Sequence, residues 1–340
     1  MPGILDRINK ENDIKQIKAQ DYGKLADEIR QFLIETVSKT GGHLASNLGV
    51  VELTMALHLF LNFPEDKLVW DVGHQTYTHK LLTGRKDMFS TLRQLNGLSG
   101  FPRRDESDCD LFDTGHSSTA ISEALGLVKA RDLSGENSKI VSVVGDGALT
   151  GGLAFEALNN AGRLKTNFII VLNDNNMSIA ENVGGLANYL ARLRTSSGYT
   201  GFKENMENTL NQLPGVGKAL VGRLKRSKDA IKYFMLPSMF FEDMGLTYIG
   251  PIDGHNIGQM LEAFRVAARA KKAVVVHVLT KKGKGYYPAE KSPMRFHGVE
   301  PFDISNGQPT KRKKDNSYTK VFSDAILQIA KEDERVVAIT

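Results

Sequence analysis

Two short apolar runs, each ending in glycine or polar residues and separated by a helix-sized segment, restrict the fold more than anything else in this chain. Lys139-Ile140-Val141-Ser142-Val143-Val144 is rich in β-branched residues and ends in Gly145-Asp146-Gly147. Asn167-Phe168-Ile169-Ile170-Val171-Leu172 is the second run and ends in Asn173-Asp174-Asn175-Asn176. Runs of this kind suit strands covered on both faces. The stretch from about Leu149 to Ala161 reads as the helix between them. Strand, helix, strand at this spacing is a right-handed βαβ unit in a parallel sheet. A third such run, Ala273 to Leu279, closes the region. The fold class implied is α/β, a mainly parallel sheet with helices on both faces.

The flanking sequence fits that frame. Leu25, Ile29, Phe32, Leu33 and Val37 recur at helical spacing and predict a helix over 22–38. A second helix is expected from Val51 to Leu61, and a short buried strand at Leu68-Val69-Trp70-Asp71, closed by Gly73-His74. Residues 81–98 read as helix at first and loop afterwards. Gly115-His116-Ser117-Ser118-Thr119 opens a helix through Ala130, with Ser and Thr as candidate caps. Glu181 to Met239 is rich in Gly, Asn and Lys. It is expected to be a mobile insertion (181–240) carrying a basic helix from about Lys218 to Lys232. Residues 1–300 thus form one domain, and 301–316, with Pro301, Pro309 and the run Lys311-Arg312-Lys313-Lys314, a linker. A helix from Ser317 to Lys331 and a strand from Arg335 to Ile339 complete the chain. One helix and one strand cannot bury a core. Residues 317–340 therefore read as the incomplete start of a second α/β domain.

Composition removes several function classes. No apolar run is long enough to span a bilayer, and the N-terminus lacks the apolar core of a secretory signal. Cys109 is the single cysteine, so no disulfide forms within the chain and a reducing, cytoplasmic setting is expected. Lys and Arg number 44 against 39 Asp and Glu. That mild excess suits an enzyme of anionic metabolites and does not by itself call for nucleic acid. No aromatic residues interleave the basic runs, which read as solvated faces.

The chemistry concentrates at two strand ends. Ligands of open parallel sheets bind beyond the carboxyl ends of the strands, where both Gly145-Asp146-Gly147 and Asn175 fall. The glycines let a diphosphate approach the backbone, and a helix beginning near Ala148 would aim its amides at the anion. Asp146 and the Asn175 amide oxygen are hard ligands suited to Mg²⁺, and the Met177 carbonyl could be a third. A dinucleotide fingerprint would need glycine where Thr150 stands, and an Asp between its glycines would repel a pyrophosphate unless a cation intervened. The simplest competing reading is a strand-turn-helix glycine pair with a capping Asp.

Gly145-Asp146-Gly147 followed by Asn175 resembles the thiamine-diphosphate motif. The flanking stretches Gly41 to Gly49, Asp71 to Gln75 with His79-Lys80, Gly115 to Thr119, Leu172 to Ser178, Gly250 to His255 and Thr280 to Tyr286 resemble the 1-deoxy-D-xylulose-5-phosphate synthase family of the transketolase superfamily. The resemblance covers essentially the whole chain. It implies thiamine diphosphate and Mg²⁺ as cofactors, with Asp146, Asn175 and Met177 as metal ligands. His74, Gly115, His116, Ser117, Gly147, Ala148, Asn175 and Tyr286 would lie against the cofactor. His43 would sit by its reacting carbon, and His297 would contact substrate. The implied reaction condenses pyruvate with glyceraldehyde 3-phosphate, with loss of CO₂, in a homodimer. Such enzymes take a pyrimidine-binding glutamate from a second domain, for which 317–340 offers no candidate. The chain is accordingly expected to be an amino-terminal, cofactor-binding part that is inactive alone. The alternatives are a subunit of a split transketolase-like enzyme and a non-catalytic cofactor-binding product. His58, His79 and His277 are expected to be structural, and Asp253-Gly254-His255 to make a turn.

Overall fold

The structure, a computed structural model, describes residues 3–175, 177, 184–195, 240–310 and 317–338. In chain order the elements are α1 (Tyr22–Thr40), α2 (Ala45–Gly49), α3 (Val51–Phe60), β1 (Lys67–Trp70), α4 (Tyr77–Leu82), α5 (Ala120–Ser134), β2 (Ile140–Gly145), α6 (Gly152–Ala161) and β3 (Phe168–Asp174). They continue with α7 (Gly185–Thr195), α8 (Phe240–Asp243), β4 (Thr247–Asp253), α9 (Ile257–Ala268), β5 (Ala273–Leu279), α10 (Tyr287–Lys291) and α11 (Tyr318–Glu332). The strands form one parallel sheet in the order β1-β2-β3-β5-β4.

Alternation along the strands sorts the core into two layers. Ile140, Val144, Ile170, Leu172 and Val275 pack with α5, α6 and α7. Val141, Val143, Ile169, Val171, Val274 and Val276 face α3 and α9. Each of these buried side chains contributes about 1.5–3 kcal/mol by leaving water. Crossover handedness explains the split. The connections β1 to β2, β2 to β3 and β3 to β4 all advance in one direction across the sheet, and α5, α6 and α7 within them share a face. The return from β4 to β5 runs the other way and puts α9 on the opposite face. A third cluster, built from α1, α2 and residues 286–302, flanks this body.

Several expectations need correction. The helix after Gly145-Asp146-Gly147 starts at Gly152, because residues 148–150 form a 3-10 turn and Gly151 is extended. Neither Ser117 nor Thr119 caps α5. The carboxylate of Asp71, at the end of β1, accepts from the Ser118 and Ala120 amides instead, at 2.9 and 3.2 Å. The helix expected from residue 81 is α4 and ends at Leu82. Gly84 there takes φ +83°, and a Cβ would meet the Asn9 carbonyl oxygen at 2.2 Å. β4 escapes sequence reading because Gly250-Pro251 resembles a turn; a register shift between Ile249 and Ile252 accommodates the pair in an edge strand. Residues 335–338 form no strand, since no neighbouring strand pairs with them among the described residues. Within 181–240, residues 185–195 are helical, while the basic helix expected at 218–232 and the run at 311–314 lie outside the described residues. No helix among the described residues is long and apolar enough to cross a membrane.

Candidate active site

The sheet's carboxyl edge carries a cavity of about 640 Å³. Register builds its floor. Gly145 on β2 pairs with Asn173 on β3, so Asp146 and Asn175 leave adjacent strands side by side. The Asp146 amide donates to the Asn173 carbonyl at 3.2 Å. Asp146 Oδ1 accepts from the Gly147 amide at 3.1 Å, and Asn175 Oδ1 accepts from the Met177 amide at 3.1 Å. Asp146, Asn175 and Met177 all line the cavity, as do Gly147 and Ala148. No cluster of three or more His, Cys, Asp or Glu side chains suited to a metal occurs among the described residues. The oxygen donors at these two strand ends are the Asp146 carboxylate, the Asn175 amide and the main chain.

The loop after β1 forms one wall. Gly73 has φ +90°, and a Cβ there would meet Pro102 Cδ at 2.3 Å, so this loop closes directly on the segment that begins after Phe101. Val72 and Ser118 take left-handed φ of 60° and 74°. For non-glycine residues that is backbone strain held by surrounding structure, of the sort concentrated at functional sites. Asp71 ties the two strained positions together through Ser118. Gly115, His116 and Ser117 line the mouth of the cavity and are exposed.

Three imidazoles, His74 of this loop among them, gather against the same cavity. The ring centres of His43 and His74 are 5.3 Å apart, those of His43 and His297 5.5 Å, and those of His74 and His297 5.0 Å. Ser46 Oγ stands between two of them, 3.1 Å from His74 Nε2 and 3.5 Å from His297 Nδ1. Asn47, fully buried, donates to the carbonyls of both His43 and His74, at 2.7 and 2.8 Å. Burial, then the neighbouring charge of His297, pushes the His43 pKa down to about 4. Burial and Lys282 bring His297 to about 4, and burial holds His74 well below its ordinary value. All three rings are neutral at pH 7 and able to accept a proton.

This has a stability consequence. Between the unfolded value of 6.5 and about 4, His43 and His297 are protonated in the unfolded chain and neutral in the fold. Stability should therefore drop as pH is lowered through that window, by roughly 1 kcal/mol per pH unit for each ring after allowing for its partial exposure. Urea midpoints at pH 7, 6 and 5 measure the slope. A His43→Gln, His297→Gln double variant should lose that share of it, and an unchanged slope would refute the assignment.

Eleven of the twelve residues expected at a site line this cavity. Tyr286 does not. Its hydroxyl donates to the Ile304 carbonyl at 2.8 Å and its ring packs on Phe296 and Phe302, because that loop folds into the third core cluster. Residues that sequence reasoning assigned no role also face the cavity: Ser46, Asp71, Gln75, Phe101, Asn173 and Lys282. Lys282 had a readable signal, since it lies just past the carboxyl end of β5 as Asp146 lies just past that of β2. Phe101, whose ring lies 5.6 Å from that of His43, had none. The expected structural histidines pair away from the cavity. His277 joins Tyr248 and Asp174, at 2.7 and 2.9 Å, and His58 and His79 meet at 2.9 Å.

Two observations bear on whether the cavity suits a large polar ligand. The buried atoms His43 Nδ1, His74 Nδ1 and Gln75 Oε1 have no hydrogen-bond partner among the described residues. A Cβ on Gly115 or Gly145 would meet nothing within 4 Å, so the missing side chains leave open space. Orphaned buried polar atoms around open volume are what a bound polar group would satisfy.

The chain matches the family model described as 1-deoxy-D-xylulose-5-phosphate synthase over residues 5–280. It is 66% identical over 340 residues to the 1-deoxy-D-xylulose-5-phosphate synthase of Lachnoclostridium phytofermentans, and 53% identical over 340 residues to that of Halothermothrix orenii. Both alignments cover 100% of this chain and 54% of the relative. The chain thus spans about half the length of the curated relatives it matches. Among solved structures it is similar to transketolase from Campylobacter jejuni, with TM-score 0.60 and 20% identity over 93% of this chain and 49% of that one. Transketolase from Leishmania mexicana gives TM-score 0.57 and 17% identity over 92% of this chain and 48% of that one. At such identities the likeness is one of fold.

Proposed function

Because the chain belongs to the 1-deoxy-D-xylulose-5-phosphate synthase family, we propose that its cavity holds thiamine diphosphate and Mg²⁺. The proposal extends to a decarboxylative condensation of pyruvate with glyceraldehyde 3-phosphate by the longer protein. The observation that carries the reading is the placement of Asp146 and Asn175, on adjacent strand ends, in one cavity with three neutral imidazoles. Asp146, the Asn175 amide oxygen and the Met177 carbonyl would hold Mg²⁺. An all-oxygen set with a single carboxylate suits an ion that keeps water and phosphate oxygens in its shell. The amides of Gly147 and Ala148, the Lys282 ammonium, and His116 and Ser117 at the mouth would receive the diphosphate, with His74 and Gly115 beside them. The chemistry that thiamine diphosphate supplies when bound is electron withdrawal from the carbon of a 2-keto acid that loses CO₂.

The chain's own part is binding and proton handling. His43 and His297 are neutral at pH 7. Each would hydrogen-bond to a substrate oxygen and take or return a proton there. Asn47 would fix the backbones that carry His43 and His74, and Ser46 would orient the rings. Residues 317–340 would begin a second α/β domain. Val321, Phe322 and Ile329 on α11 are exposed on one side, as expected of a helix whose apolar face awaits a partner. We take a cytoplasmic homodimer as the setting of the longer protein.

Titration calorimetry of thiamine diphosphate into the folded chain, with and without Mg²⁺, tests the site. Saturable binding that requires Mg²⁺ is expected. Absence of binding under both conditions would remove the assignment. Assayed with pyruvate and glyceraldehyde 3-phosphate, the chain alone should turn over far more slowly than a full-length relative; equal rates would overturn its reading as half of an active site.

A further inference from the structure

The turn after β4 joins α3 to the segment after β5 through one histidine. His255 Nδ1 lies 3.0 Å from Glu52 Oε2, and His255 Nε2 accepts from the Lys281 amide at 2.9 Å. A carboxylate can only accept, so the proton sits on Nδ1, and Nε2 offers its lone pair to Lys281. Glu52 is buried on α3. Burial alone would raise its pKa; hydrogen bonds from His255 and Arg30 outweigh that and bring it to about 2. The carboxylate is thus a fixed anchor. It receives Arg30 from α1 and also Lys284 Nζ at 3.5 Å.

The Lys281 amide matters because of its neighbour in the chain. Lys281 points outward to Glu290, whereas Lys282 turns inward, is 6% exposed, and lines the cavity with Asp146. The Lys281 N–H belongs to the Thr280–Lys281 peptide plane, so holding it fixes the entry to the turn that carries Lys282, in which the Lys284 amide donates to the Lys281 carbonyl at 3.2 Å. A rotated plane would swing the Lys282 ammonium off the cavity.

We propose that His255, anchored by Glu52, is a positioning residue that presents Lys282 to the ligand's diphosphate. This rests on the reading of the cavity as a diphosphate site. His255 itself touches neither cavity nor ligand, and it acts through the Lys281 peptide.

A double-mutant cycle on cofactor affinity, read by calorimetry with thiamine diphosphate and Mg²⁺, tests it. Lys282→Ala should weaken binding by about tenfold or more, as loss of a charge-assisted hydrogen bond does. His255→Ala should weaken it roughly tenfold, the usual scale for a residue that orients a ligand-binding one. His255→Gln should stay within about threefold of the native chain, because its amide can donate to Glu52 while its carbonyl accepts from Lys281. In the Lys282→Ala background the His255→Ala change should have almost no effect. A merely structural His255 would instead weaken binding equally in both backgrounds, and that result would overturn the proposal. So would a His255→Ala chain with native affinity. If the folded native chain takes no thiamine diphosphate, the site reading fails and this proposal with it. If Lys282→Ala weakens binding and His255→Ala does not, only this proposal fails.

Discussion

Replacing Asp146 with alanine is expected to weaken Mg²⁺-dependent thiamine diphosphate binding on the order of 100-fold, about 2.7 kcal/mol. Asp146 is the single carboxylate among the three proposed oxygen donors. Without it, the neutral Asn175 amide and a main-chain carbonyl must compensate a dehydrating divalent ion, which they do poorly. The ion in turn screens the diphosphate, so metal and ligand should be lost together. Asp146→Asn keeps the shape and the acceptor for the Gly147 amide, whose bond is 3.1 Å. It should fold as the native chain does and still bind weakly, separating charge from geometry. Calorimetry beside a thermal melt makes the measurement. Native affinity in a folded Asp146→Ala chain, still dependent on Mg²⁺, would place the metal elsewhere.

The second large effect lies outside the cavity. Asp110→Ala should destabilise the fold by about 3–5 kcal/mol, the cost of breaking a buried ion pair from one side. Arg85 donates to both Asp110 oxygens, at 2.7 and 3.0 Å, His79 Nε2 lies 3.0 Å from Oδ1, and the Arg103 amide donates at 2.9 Å. Burial alone would raise the Asp110 pKa, but the bonds from His79 and Arg85 hold it well below the usual carboxylate range. Lys80, fully buried beside the same group, pairs with Glu106. Removing Asp110 leaves the His79 Nε2 without its carboxylate and leaves Arg85 to share Glu106, at 3.3 Å, with Lys80. The network also fastens residues 99–110, which carry Phe101, to α4, so cofactor affinity should drop with stability. Urea unfolding provides the number, and Asp110→Asn, which keeps two of the acceptor geometries, should lose less. A loss below about 1 kcal/mol would mean that water reaches Arg85.

Much of the fold is legible from local pattern. The β-branched runs mark β2, β3 and β5 because a strand covered on both faces leaves few alternatives to Val and Ile. Glycines at strand ends mark where ligands can approach backbone. Where local pattern misleads, a longer-range contact has displaced the local rule. Asp71 caps α5 in place of Ser117 or Thr119, since a buried carboxylate across the fold outcompetes a flexible local hydroxyl. Gly250-Pro251 resembles a turn, and an edge strand with a register shift absorbs it. Tyr286 neighbours glycines and lysines of the site in sequence, yet its ring belongs to an aromatic cluster with Phe296 and Phe302.

By itself, the sequence determined the α/β class, the parallel βαβ unit and the chemical types gathered at Asp146 and Asn175. These depend on side-chain periodicity and strand-end composition, which act over one element at a time. Only the tertiary structure decided that His43, His74 and His297 share a wall, that Ser46 lies between two of their rings, and that Lys282 faces Asp146. It also decided that the three rings are neutral, and that Glu52 governs a peptide far from it along the chain. Such contacts follow from strand order and crossover direction, which bring distant segments to one edge. Desolvation follows from everything packed around a group, and no window of sequence contains that.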